Sequence, residues 1–152
     1  MINKSIKSIG LVLLVSVIAS GPASFAGEIE EAPSLYERLG SWDGIGQVVR
    51  DTIAFHQENP QISHYFEDVD TDQLAAHVTA FFAAGTGGPA KYEGRDMTSA
   101  HAHMNMSDED FDSAVADVLK AVDKNGIGAA EKAEVAAILE SLRPAVMGTT
   151  GT

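Results

Sequence analysis

Gly85-Thr-Gly-Gly-Pro-Ala-Lys-Tyr92-Glu-Gly-Arg-Asp-Met97-Thr-Ser-Ala-His101-Ala-His103-Met104 is the stretch on which the reading of this chain turns. Its glycine run follows an apolar stripe of helical period and no strand. It therefore reads as a helix terminator, not as a loop cradling phosphate. After a loop through Tyr92 and Gly94, the spacing predicts a two-turn helix over Met97 to Met104. His101 follows Met97 by four residues and precedes Met104 by three, so all three share one face. His103, two residues further on, points roughly 160° away on a helix, toward solvent. A histidine set among methionines on an apolar face has two readings. Its imidazole is aimed at a metal in an oily pocket, or it is a core histidine bonded to a carbonyl.

Helical spacing continues on both sides. Upstream, Thr71 is the expected cap of a helix whose stripe is Leu74, Val78, Phe81 and Phe82, with His77 on its flank. Before it, Ser41 or Asp43 starts a helix on which Ile45, Val49, Thr52 and Ile53 recur at i, i+4, i+7 and i+8. His56 lies three residues beyond Ile53 and approaches the same interior. That helix ends near Asn59-Pro60, and a turn from Ile62 to Phe66 carries two adjacent aromatics. A brief helix over Leu35 to Leu39 is capped by Ser34. Downstream, Ser107 caps a long helix with Phe111, Val115, Val118 and Val122 in line, stopped by Asn125-Gly126. The last helix, Ala129 to Leu142, is expected to bury Val135, Ile138, Leu139 and Leu142, with Pro144 closing it. No segment sustains period-2 alternation, and there are no internal repeats. The fold class is all-α.

Composition narrows the function. Residues 1–26 read as a secretory signal: Lys4 and Lys7, an apolar run from Ile9 to about Ala19, and Ser24-Phe25-Ala26 at the cleavage position. The run falls short of the roughly 20 residues a spanning helix needs, although a leader retained as an anchor is the alternative. Residues 27–33 form a disordered lead-in, residues 34–146 the folded domain, and residues 147–152 a flexible tail. Loss of the leader removes two of 10 basic residues and none of the 22 acidic ones, leaving a net charge of about −14. Such acidity argues against nucleic acid as a partner and for solubility. With no cysteine, disulfides, thiolate metal sites and Cys-x-x-Cys-His haem attachment are excluded. The five histidines become the notable donors. Met97, His101, His103, Met104 and Met106 also form a Met/His cluster suited to copper. No nucleophile motif is present.

Taken in order, these segments resemble group I truncated haemoglobins. The carriers are Ser34-Leu-Tyr-Glu-Arg-Leu-Gly40, Ile62-Ser-His-Tyr-Phe-Glu-Asp-Val-Asp70, Ala76-His-Val-Thr-Ala-Phe81, and Gly87-Gly88 through Tyr92-Glu-Gly-Arg-Asp-Met97 to Ala100-His-Ala-His103. The Ser107-Asp-Glu-Asp-Phe111 cap follows. The resemblance implies a truncated globin fold, two helices over two around a non-covalent b-type haem. It implies His101 as the proximal iron ligand, Phe66 stacked on the porphyrin, and Phe81, Tyr92 and Met97 as haem wall. Lys91 and Arg95 fall where a cation meets a propionate, and His77 where some members bind iron from the distal side. The chain departs from the family where ligands are held. Ile53 replaces the usual tyrosine of the second helix, and Leu74 and Val78 stand where glutamines are common. A missing donor removes about 1–3 kcal/mol from a polar bound ligand.

The expected function is reversible binding of a small diatomic ligand (O2, CO or NO) in an apolar pocket, with His77 as a sixth ligand when that ligand is absent. Electron transfer to a redox partner by a bis-histidyl haem is the second reading. A copper-binding or haem-free helical protein is the third. A dedicated enzyme is not indicated, although NO or peroxide chemistry uses the same pocket. The implied location is the periplasm, without stable membrane association once the leader is removed.

Overall fold

The computed structural model describes residues 31–148. The leader, residues 27–30 of the lead-in and residues 149–152 of the tail lie outside the described residues. From Ala32 onward the chain forms one compact unit. It has six α-helices and no strand among the described residues: α1 (Leu35–Arg38), α2 (Ser41–Glu58), α3 (Thr71–Gly85), α4 (Met97–His101), α5 (Asp108–Lys124) and α6 (Ala129–Val146). A 3-10 turn, Ser63–Phe66, joins α2 to α3.

Local chemistry sets most boundaries. Ser34 and Glu37 form a reciprocal capping box on α1, and Ser107 and Asp110 form another on α5. The cap of α3 is Asp70 rather than the expected Thr71. Its carboxylate accepts from the Gln73 N–H at 3.0 Å and places an anion at the positive end of the helix. α4 is shorter than expected, ending at His101 instead of Met104. α6 is longer, because Pro144 sits inside its exposed last turns and the carbonyl it leaves unbonded can turn to water.

α2 packs on both α3 and α5, and α5 packs on α6, so one pair of helices lies over another. Ile45, Val49 and Ile53 of α2, Ala83, Val122 and Val135 form the buried centre. α1 is fastened to α6 by Arg38, which lies 2.7 Å from Glu131 and 2.8 Å from Glu134. Gly88 lets the loop after α3 pass under α1. A Cβ there would stand 2.5 Å from the Ala83 carbonyl oxygen and 2.8 Å from the Tyr36 ring. The stripes expected on α3, α5 and α6 are less buried than their spacing suggests. Leu74, Val78, Phe81, Phe82, Val115, Val118, Ile138, Leu139 and Leu142 are only half-buried. All of these but Ile138 line a common cavity, and Leu74, Val78, Phe82, Val118, Ile138 and Leu139 also pack on the core.

Candidate functional site

That cavity has a volume of about 750 Å³, and residues of α2 through α6 line it. Such a size lies in the upper part of the range for small-molecule and cofactor pockets. The site residues expected from the sequence converge on it. Ile53 comes from α2, Phe66 from the turn, and Leu74, His77, Val78 and Phe81 from α3. Tyr92, Arg95, Met97 and His101 close it from the α4 side. Lys91 is the exception, being exposed and off the lining.

His101, half-buried at the end of α4, has its Nδ1 at 2.8 Å from the Met97 carbonyl oxygen. A carbonyl only accepts, so Nδ1 carries the proton and Nε2 keeps its lone pair. A backbone carbonyl on the far nitrogen is the usual way a metal-binding imidazole is oriented. The two readings open at the sequence level thus coexist, since the carbonyl bond leaves the other nitrogen free on a cavity wall. His77 lines the same cavity from α3, with much of its side chain exposed. His103 is exposed, as expected, and also reaches the cavity lining, because the helix stops at His101 and residues 102–104 form a turn.

The aromatic wall is braced. Phe81 meets Tyr92 edge to face at 5.3 Å, and the Tyr92 hydroxyl donates to the Arg95 carbonyl at 3.0 Å. Phe66 stacks at 5.1 Å on His56, which is buried and also lines the cavity. His56 Nδ1 lies 3.1 Å from Asp117 Oδ2, an oxygen that also accepts from Asn59 at 2.8 Å. Burial pushes the His56 imidazole below its usual range, opposed by the Asp117 carboxylate. One residue before Phe66, the Tyr65 hydroxyl donates to Asp110 at 2.9 Å, and Gln61 donates to the same carboxylate at 2.6 Å. These bonds, with the Ser107 cap, hold the Asp110 carboxyl well below the usual carboxylate range. Sequence reasoning placed His56 near this interior but missed Asp117, Asp110 and Tyr65. The available signal was an Asp110–Ala114–Asp117–Ala121 row that sets two acids on the inward side of α5.

The family model for bacterial-like globins matches residues 34–148. The chain is a bacterial-like globin. Among similar proteins, the group 1 truncated hemoglobin GlbN of Synechocystis sp. is 33% identical over 109 residues, covering 69% of this chain and 88% of that protein. The group 1 truncated hemoglobin of Tetrahymena pyriformis is 27% identical over 115 residues, covering 76% and 95%. The crystal structure of the Tetrahymena pyriformis protein in its Fe(III) form superposes with a TM-score of 0.72 at 26% identity, over 76% of this chain and 98% of that one. The fold is also that of the 2/2 hemoglobin from Synechococcus sp., whose haem is covalently attached, with a TM-score of 0.71 at 21% identity over 76% and 99%. The all-helical arrangement described above is therefore the two-over-two truncated globin fold, and the chain is a haem-binding globin.

The residues present in this globin fit the cofactor. The cavity is walled mainly by aliphatic and aromatic side chains, as a porphyrin face requires, and it offers one imidazole whose free nitrogen is set by a backbone bond. Among the described residues, no group of three or more His, Asp or Glu side chains is placed to share a single ion.

Proposed function

We propose that this globin holds a non-covalent b-type haem through His101 Nε2 and uses it to bind a small diatomic ligand reversibly. The observation that carries the reading is the His101 to Met97 carbonyl bond at the wall of the cavity. Haem supplies an iron with an open side, and the chain supplies its surroundings. Ile53, Leu74 and Val78 make the opposite wall apolar, which favours neutral ligands such as CO or NO and weakens retention of O2. Arg95 reaches the lining and is the cation for a propionate, whereas Lys91 needs to swing inward to join it. α6 contains no histidine from which a covalent haem link of that side chain could be made. Hemin titration tests the reading directly. A 1:1 Soret band that weakens in His101→Ala supports it, and a folded protein indifferent to hemin overturns it.

We further propose that His77 takes the sixth position when no ligand is present. It lines the cavity from α3, and its exposed side chain is free to turn. A low-spin ferrous spectrum that becomes high-spin in His77→Ala is the expected result. Two axial imidazoles would also open the second reading, electron transfer with a basic partner docked on a surface of net charge about −14 once the leader is removed. Slow CO binding with fast electron exchange would favour that reading. Residues 1–26 are proposed to direct the chain to the periplasm, which cell fractionation and the N-terminal sequence of the purified protein test.

A further inference from the structure

The cavity contains a second polar device, on the α2 side, that haem ligation through His101 does not use. His56 is 9% exposed and is fixed at three places: Nδ1 on Asp117, the ring face on Phe66, and the backbone within α2. Because the carboxylate accepts, Nδ1 carries the proton and Nε2 is left as a hydrogen-bond acceptor. No side chain or carbonyl occupies Nε2, yet Thr52 Oγ1 is the only buried side-chain polar atom without a partner among the described residues. Nε2 is therefore accessible, and the space available to it is the cavity that His56 lines. Thr52 stands one turn earlier on the same face and belongs to the same wall. Its hydroxyl is unpartnered and shielded from the cavity in the present rotamer, so it meets a polar guest only after rotation. Leaving such a group unbonded is costly in an apolar surround.

We propose that His56, oriented by Asp117, is the proton acceptor of this cavity for small protic ligands of the hydrogen peroxide type. The inference rests on the haem reading above. The ligand's O–H bond breaks, its electron pair stays on oxygen, and the proton moves to His56 Nε2. The resulting imidazolium faces the Asp117 carboxylate, which also accepts from Asn59 and is thereby held in place. Thr52 is in position to donate to the anion by rotation about χ1, since threonine populates two such rotamers in a helix. Ile53, between these two in sequence, contributes nothing polar. The wall thus handles a proton without offering the donor that retains O2. The titratable and charged groups that share the cavity or contact this pair are Asp117 of α5, Tyr65 of the turn, His77 of α3, Tyr92, Glu93 and Arg95 of the loop before α4, and His101 and His103 at the end of α4. Tyr65 is engaged by Asp110, which leaves His56 as the carboxylate-oriented base of the wall.

Two probes separate this role from packing: hydrogen cyanide, which must lose a proton to bind ferric haem, and CO, which has none and binds ferrous haem. His56→Leu and His56→Gln are expected to slow cyanide association about a hundredfold, the low end for general acid–base catalysis, and to leave CO association within about twofold. Asp117→Asn should give an intermediate loss. The wild-type cyanide rate should fall as pH drops through the His56 titration, and the variants should lack that limb. In the CO-saturated protein, nitrogen NMR should show the His56 proton on Nδ1. Equal changes for both probes, no change for either, or a proton on Nε2 overturns the proposal while leaving haem binding intact. Failure of wild-type protein to take up hemin removes the haem reading itself and this inference with it.

Discussion

The two sides of the cavity are built differently. The α2–α5 side is anchored by buried and half-buried polar bonds: Asp51 to Lys124 at 2.6 Å and to Asn125 at 2.8 Å, His56 to Asp117, and the Asp110 cluster on the turn. α2 buries seven residues. The α3–α4 side has few such ties. α3 buries only Thr79 and Ala83, and α4 buries none of its residues. Its apolar stripe packs on the core through Leu74, Val78 and Phe82 and also lines the cavity. One wall is a scaffold held by polar ties within the protein, and the other presents apolar side chains to whatever the cavity binds.

The sharpest way to break this contrast is to remove the proposed His101 bond between the cofactor and the weaker wall. Only the folded state has the cavity, so haem at a thousand times its dissociation constant adds about 4 kcal/mol by mass action. His101→Ala should take away roughly 3 kcal/mol of that, on the order of 10 °C in the Tm of the holoprotein. The apoprotein should change by less than about 1 kcal/mol. Calorimetry with and without hemin checks both numbers. Equal losses in the two forms would make His101 a packing residue. Hydrogen exchange should show the same asymmetry, with haem protecting α3 and α4 far more than α2 and α5.

A smaller effect tests whether the apolar opposite wall governs the ligand. Ile53→Tyr restores a hydroxyl to the α2 face of the cavity. A hydrogen bond to a polar ligand contributes about 1–2 kcal/mol, so O2 release should slow about tenfold while CO release changes little. Stopped-flow measurement of both ligands decides it. If O2 release is unaltered, the wall's polarity is not what sets retention.

The scaffold side has its own test, in pH. The His56 pKa is depressed by burial, so between its unfolded value near 6.5 and its lower folded value only the unfolded chain binds the proton. Stability is therefore full above about pH 6.5 and declines as pH falls below it. Asp51 and Asp110 are depressed carboxyls, the first held mainly by Lys124 and the second mainly by Gln61. Their contribution is present above their unfolded pKa near 4 and is lost as pH falls below that. Urea midpoints across pH should thus show two declines on acidification. His56→Gln should flatten the upper one and leave the lower one in place.

The contrast also explains how much was legible in the sequence. Helix periodicity placed all the main helices, and Met97, His101 and the α3 stripe reached the cavity as spacing implied. The degree of burial was not legible, because apolar periodicity marks the side that avoids water without saying whether protein or cofactor covers it. Leu74, Val78 and Phe81 look like core and are cavity wall. The polar ties were less visible still. Asp117 and Asp110 read as surface acids in a chain with 22 of them, and only their row on the inward side of α5 sets them apart. That His103 is exposed was legible, but its reach to the cavity was not, because α4 stops at His101.

The smallest expected effect lies off the cavity lining, at the entry to α2, where scaffold rigidity begins. Gly40 has φ of 85° and Ser41 has φ of 57°, so two successive residues occupy the left-handed region. Gly40 does so without a steric penalty, but a side chain there costs about 1–2 kcal/mol. Ser41→Gly removes that strain and at the same time loosens the unfolded chain, which returns about 0.4–1 kcal/mol. The net gain should be no more than about 1 kcal/mol, read as a small rise in urea midpoint. Hemin affinity should stay unchanged, since Ser41 is not on the cavity lining. A gain in stability with weaker hemin binding would mean that the angle at which α2 starts is transmitted to His56 and Ile53. The scaffold wall would then be under tension from its own first turn, not held by its α5 bonds alone.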